Sequence, residues 1–264
     1  MEQAKKREYL IKILLAEQPG YRDMVIPEGA GEQKRLLRSL FNVRMPGMIG
    51  EDFLKVQDEY LQEVTKEKGI TDFKNLQPIE DGIYLWQGDI TTLKCDAIVN
   101  AANSGMTGCY RPCHNCIDNC IHTYAGVQLR AECSRQMNQL RVRYGRDYEQ
   151  PTAVPMLTDG YNLPAKKVIH IVGPIVQYKL TPALEKDLAD CYRNTLDMCK
   201  ENCLRSVAFC CISTGVFRFP NKRAAEIAVE TVKDWRLKHP VEIERVIFNV
   251  FKEEDRAIYE DLLS

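Results

Sequence analysis

The sequence predicts an α/β protein: a three-layer α/β/α domain built on a mixed, largely parallel central sheet, with a helical extension at its N-terminus. Three observations carry this. From about residue 83, short apolar runs rich in Val, Ile and Phe alternate with longer stretches of helical spacing, the order expected when helices layer onto a mostly parallel sheet. Four of the five runs are apolar almost throughout, as strands covered on both faces are. Residues 1 to about 75 lack such runs and instead repeat apolar positions three and four apart, the helical period.

The extension is assigned to residues 1–78 and the α/β domain to residues 79–264, with the change of pattern near Gln77 to Asp81. Helical spacing joins Tyr9, Leu10, Ile13 and Leu14, then Leu36, Leu37, Leu40 and Phe41, then Phe53, Leu54, Gln57, Tyr60 and Leu61, each set marking one apolar face. Strands are predicted at 83–88, 96–102, 167–173, 206–213 and 245–251, and helices at 116–140, 182–203, 221–238 and 253–263. In an open α/β sheet, ligands bind beyond the carboxyl ends of the strands. Chemistry is therefore expected in GDIT, NAANSG, STGVFRFP and NVFKEED, which follow four of the five runs.

Composition narrows the function classes. An apolar share of 45% and a charged share of 28% are those of an ordinary globular chain, and no apolar run is long enough for a membrane span. The N-terminal stretch has basic residues ahead of apolar ones, but its charges and Tyr9 break up a signal-peptide core. A cytoplasmic monomer is expected. The formal net charge is -1, with Lys and Arg scattered rather than clustered, so nucleic acid is not an expected partner. Eleven cysteines are an odd number for a disulfide framework, which points to reduced thiols or a metal site. Cys210 and Cys211, inside VAFCCIS, read as small buried hydrophobes.

The stretches GDITTLKCDAIVNAANSG (88–105), DNCIHTYAG (118–126) and CISTGVFRFP (211–220) are the informative motifs. An aspartate just after a strand, Asp89, is an acceptor-only carboxylate suited to an exocyclic amine, or alternatively a solvated turn or N-cap residue. Ser213, Thr214, Gly215, Val216 and Phe217 lie between a buried strand and a helix, where a glycine lets backbone N–H groups approach and cradle an anion; the plain alternative is an ordinary connection. Asn103 carries both a donor and an acceptor for hydroxyls, and Asn100, nearer the strand, is expected to fix the loop. Asn249 and Phe251 end the last run, with the ring either stacking on a base or buried in the core.

Taken together and in this order, these motifs resemble the macrodomain family, whose members bind ADP-ribose, over residues 83–264. The resemblance implies that Asp89 contacts adenine and Ile90 beside it binds ADP-ribose, that Asn249 and Phe251 contribute to the adenine pocket, that Ser213 to Phe217 hold the diphosphate with Phe217 covering the distal ribose, and that Asn103 contacts the ribose. MacroD-type enzymes carry D-x-x-I-H-x-x-A-G with an aspartate near the scissile bond, so Asp118 is the implied catalytic acid/base, with Asn103 beside it. His122, four residues on and on the same helical face, is expected to be a satisfied structural histidine.

The departure from that pattern lies between Cys109 and Cys120, where four thiols and an imidazole stand in place of a glycine-rich strip. Thiolate and imidazole are zinc ligands, and three protein ligands leave a fourth position open for catalysis. The spacing C-x4-H-x-C of Cys109, His114 and Cys116 resembles that of a zinc-containing subgroup of macrodomains. Cys113 or Cys120 are alternative ligands, and a four-ligand site using Cys113 would be structural. The expected activity is zinc-dependent removal of mono-ADP-ribose from protein side chains, with Zn²⁺ as cofactor. The resemblance further implies a lipoate-carrier protein as substrate and a sirtuin-type ADP-ribosyltransferase as the modifying partner. A reader that binds without cleaving, and a deacetylase of O-acetyl-ADP-ribose, are the alternatives that the fold also supports.

Overall fold

The structure is a computed structural model describing residues 1–264. The extension comprises α1 (Gln3–Glu17), α2 (Ala30–Val43) and α3 (Glu51–Lys68). Leu10, Leu14, Leu37, Leu40, Phe41, Phe53, Tyr60 and Leu61 from these helices bury together with Val127 of the α/β domain in a small second core. Acidic residues open α3 and Lys66 and Lys68 close it, matching the helix dipole, and Gly69 ends it at a φ of 89°.

A short parallel pair, β1 (Thr71–Asp72) with β3 (Leu93–Lys94), ties the linker to the domain around β2 (Ile83–Gln87). The remaining elements are β4 (Ala97–Ala102), α4 (Ile117–Ala125), α5 (Val127–Tyr144), β5 (Met156–Asp159), β6 (Lys167–Val172), α6 (Pro182–Glu201), β7 (Ser206–Phe209), α7 (Asn221–Lys238), β8 (Arg245–Val250) and α8 (Glu253–Leu263). The main sheet has the order β2-β8-β7-β4-β6-β5, parallel throughout except for β5 against β6. Its central strands β4, β6, β7 and β8 are almost wholly buried, which is why they read as unbroken apolar runs. Their side chains and those of the flanking helices form a core of 50 buried residues.

Several expectations are corrected. The predicted helix over 116–140 is two helices, broken at Gly126, whose φ is 95° and where a Cβ would come within 2.6 Å of Gln57 Nε2 from α3. The left-handed φ at Gly126 ends α4, and Gln57 of the extension and Gln128 of α5 close over the glycine. The strand predicted at 206–213 stops at Phe209, where its pairing with β8 ends, and Ser213 takes a left-handed φ of 65° in the turn that follows. The edge strand β5 was not predicted; its four residues include a polar Thr and Asp and lack an apolar run. No helix is long and apolar enough to cross a membrane.

Candidate active site

All five parallel strands of the main sheet point their carboxyl ends the same way, so the segments after β2, β4, β7 and β8 share one rim. After β2, Asp89 caps a 3-10 turn, Ile90–Thr92, by accepting from Thr91 N–H and Oγ1. Its other oxygen takes Lys68 Nζ at 2.5 Å, and that ammonium lies 3.4 Å from the centre of the Tyr124 ring. Burial works to raise Asp89, but Lys68 and Thr91 outweigh it and hold the carboxyl below its ordinary value. Asp89 is therefore both a cap and an ion-pair partner of the extension. The Ile90 side chain is buried in the core, which leaves its main chain as the part facing the rim.

After β7, Ser213 and Arg218 are the left-handed residues of the loop, not Gly215. A Cβ on Gly215 would meet nothing within 4 Å, so this glycine borders open space. Ser213 Oγ is buried with no partner, and a Cβ on the neighbouring Gly173 would come within 2.1 Å of it. Non-glycine residues at positive φ are uncommon and concentrate at ligand sites. Thr214 Oγ1 donates to Cys211 O at 3.0 Å, Val216 is exposed, and Phe217 O accepts from Val176 N–H. At the end of β8, Phe251 is exposed rather than in the core, so its ring is free to stack. Asn249 is different: it is buried, and its amide donates to Trp86 O and Gly88 O. It ties β8 to the end of β2, with its donors already used.

The strand β4 supplies the chemical centre. Asn100 is fully buried, and its amide donates to Asp118 Oδ1 at 2.8 Å and lies 3.0 Å from His170 Nδ1. It fixes a carboxylate, not the loop that was expected. Asn103 donates to Asp118 Oδ2 and Gly108 O, both at 3.3 Å. Asp118 sits in the first turn of α4, where the helix N-terminus favours negative charge. Burial pushes its pKa up to about 6, while Asn100, the Arg130 charge and Asn103 pull the other way.

Four residues on, His122 Nε2 is 3.6 Å from Asp118 Oδ1. Burial drives its pKa well below the ordinary imidazole value, with His170 and Arg130 adding to the effect. Neither ring nitrogen has a hydrogen-bond partner, so His122 is structural but not satisfied. It borders a small cleft lined by Phe41, Arg44, Met45 and Arg130, and Gly108 at φ 85° leaves room for its ring. His122, Cys133 and His170 gather potential ligand atoms within 4.8 Å. However, the His170 nitrogens already meet Asn100 and Thr158 Oγ1, each at 3.0 Å. This group is packing beneath Asp118.

The loop before α4 brings Cys109, His114 and Cys116 together. Cys109 Sγ and His114 Nδ1 are 3.7 Å apart, and all three candidate ligand atoms lie within 4.8 Å of one another. Tetrahedral bonds of about 2.3 Å to sulfur and 2.0 Å to nitrogen separate ligands by roughly 3.3–3.8 Å, so the set fits zinc after shifts of about 1 Å. Cys113 Sγ turns to Ser39 Oγ at 3.1 Å and Cys120 Sγ to Arg38 at 3.7 Å, and neither joins the group. Cys116 is the N-cap of α4, its sulfur accepting from Asn119 N–H, and burial pushes its thiol up to about 12.

Sequence reasoning missed Asn119, Lys68 and Arg130. Asn119 is fully buried and donates to Cys109 O and Arg111 O. The signal for Asn100 was a lone amide inside the apolar run DAIVNAA, a polar group that has to find a buried partner. Lys68 and Arg130 gave no signal, because their partners are distant in the chain.

The Macro domain family model matches residues 99–228. The chain is 51% identical to a protein-ADP-ribose hydrolase of Treponema medium over the full length of both. It is 44% identical to the protein-ADP-ribose hydrolase of Staphylococcus aureus strain MRSA252, covering 96% of this chain and 93% of that one. Among solved structures, a Trypanosoma brucei macrodomain in complex with ADP-ribose aligns with a TM-score of 0.66 at 26% identity, covering 86% of this chain and 95% of that one. An Oceanobacillus iheyensis macrodomain mutant with ADPR aligns at 0.62 with 35% identity, over 71% and 95% respectively.

Proposed function

This chain belongs to the macrodomain family, and we propose that it is a zinc-dependent hydrolase that removes mono-ADP-ribose from protein side chains. The observation that carries the reading is Asp118. It is a buried carboxylate gripped by two amides, two residues after Cys116 of a three-ligand set. The relatives named as protein-ADP-ribose hydrolases over nearly the whole chain support the reaction class.

Adenine goes to the end of β2, with Asp89 accepting from its amine, the Ile90 main chain beside it and Phe251 stacking. The loop Ser213 to Phe217 takes the diphosphate, with the open side of Gly215 towards it and Phe217 over the distal ribose. That path leads the anomeric carbon to Asn103 and Asp118. Asp118, nearly free of solvent and raised towards neutrality, positions a water and accepts its proton as the bond to the protein side chain breaks. Asn103 orients the carboxylate and the ribose hydroxyls. Cys109, His114 and Cys116 hold the metal, which when bound supplies positive charge and an open position for a hydroxyl or water.

The substrate is thus a mono-ADP-ribosylated protein, and the products are ADP-ribose and the unmodified side chain. A lipoate-carrier protein modified by a sirtuin-type ADP-ribosyltransferase is the proposed physiological pair. A reader without catalysis has no use for an open three-ligand site beside a buried carboxylate. Treatment with a zinc chelator tests the reading: release of ADP-ribose is expected to stop while ADP-ribose binding persists. Unfolding on chelation would instead assign the metal a structural role.

A further inference from the structure

The extension is not a separate cap; one of its helices is bonded throughout to the loop that carries the three candidate ligands. Arg38 Nη2 donates to His114 O at 2.8 Å and to Asn119 Oδ1 at 3.0 Å. Asn42, only 1% exposed, accepts from Cys113 N–H at 2.8 Å and donates to Thr123 Oγ1 at 2.9 Å. Ser39 Oγ meets Cys113 Sγ, and that residue holds a left-handed φ of 51° that a side chain rarely adopts unaided. From the other side, Arg130 of α5 binds Phe41 O, Asn42 O and Arg44 O at the end of α2 and Cys109 O in the loop. Asn119 completes the frame by donating to Cys109 O and Arg111 O.

We propose that α2 is the mount of the metal loop, with Arg38 and Asn42 as positioning residues that hold the His114 carbonyl and the Cys113 amide and so aim the loop at the ion. The inference rests on the zinc reading above. Its physical basis is that groups one bond removed from metal ligands fix ligand direction, and their loss typically weakens binding by about 10- to 100-fold. Here the fixed groups are the ligands' own backbone: His114 O by Arg38, Cys109 O by Arg130 and Asn119, and the Cys113 amide between them by Asn42. The extension therefore has a role in the chemistry that no motif within it announces.

The test uses the full chain and two measurements. Zinc affinity, read by competition with a chromophoric chelator, is expected to fall about 10- to 100-fold in Arg38→Met and Asn42→Leu, with ADP-ribose affinity unchanged. Arg38→Lys is expected to recover most of the loss, because one nitrogen of Arg38 makes both oxygen contacts. Unchanged zinc affinity in folded Arg38→Met overturns the proposal. The second measurement needs no variant: hydrogen exchange of the Cys113 amide, the loop N–H that Asn42 holds, in the wild-type protein stripped of metal. Protection is expected to persist, and exchange at the rate of an open loop overturns the proposal even if the substituted proteins do not fold. A wild-type chain that takes up no zinc sinks the functional reading instead, while the exchange result still decides whether α2 holds the loop.

Discussion

The proposed adenine and diphosphate half of the site and the proposed metal half are built differently. The first is made mainly of strand ends: Asp89 after β2, Ser213 to Phe217 after β7 and Phe251 after β8 stand where the sheet puts them, with the Lys68 to Asp89 ion pair as its tie to the extension. The second is a loop whose shape comes from elements far away in sequence. Arg38 reaches His114 across 76 positions and Asn42 reaches Cys113 across 71. A site that inherits its geometry from a sheet tolerates changes elsewhere; a site mounted on packed helices depends on each buried bond of the mount.

That contrast can be broken at several points. Asp118→Ala is expected to lower ADP-ribose release by about 10²- to 10⁴-fold, the range of a lost acid/base group, with ADP-ribose affinity measured by calorimetry little changed. A parallel loss of affinity would show that the two halves are one unit. Arg130→Met is expected to cost about 3 kcal/mol in urea unfolding, because buried carbonyls at the end of α2 and on Cys109 lose a charged donor. Stability close to wild type would mean that the mount carries little load. Gly173→Ala acts on the other half alone. Its new Cβ would press on Ser213 Oγ, an overpacking of about 1–3 kcal/mol, and weaker ADP-ribose binding with zinc affinity intact is the expected outcome.

The same contrast explains what could be read in the sequence. The parallel sheet was legible because β4, β6, β7 and β8 are buried on both faces and are therefore continuous apolar runs. The position of Asp89, Phe251 and the Ser213 loop at strand ends on one rim was legible because each follows an apolar run of that sheet. Asp118 and the three metal candidates were legible as residue types at a spacing. The bonds that make them a site were not. Asn100 was expected to fix its loop and instead grips Asp118, and Asn249 was expected to face a ligand and instead ties two strands. An amide can satisfy either role, and only the packing selects one. His122, expected to be satisfied, makes no hydrogen bond through either ring nitrogen, and Gly126, where one predicted helix becomes two, packs under Gln57 of α3. The Lys68 to Asp89 ion pair was invisible for the same reason: the carboxylate looked free until α3 delivered a cation to it.

The most direct test of the central claim measures bound zinc and release of ADP-ribose from a mono-ADP-ribosylated protein in the same preparations of wild type and Cys116→Ala. The expected result is about one zinc per wild-type chain and active release, with both lost in Cys116→Ala while ADP-ribose still binds. A Cys116→Ala protein that carries no zinc yet releases ADP-ribose at the wild-type rate would contradict the metal's part in the reaction.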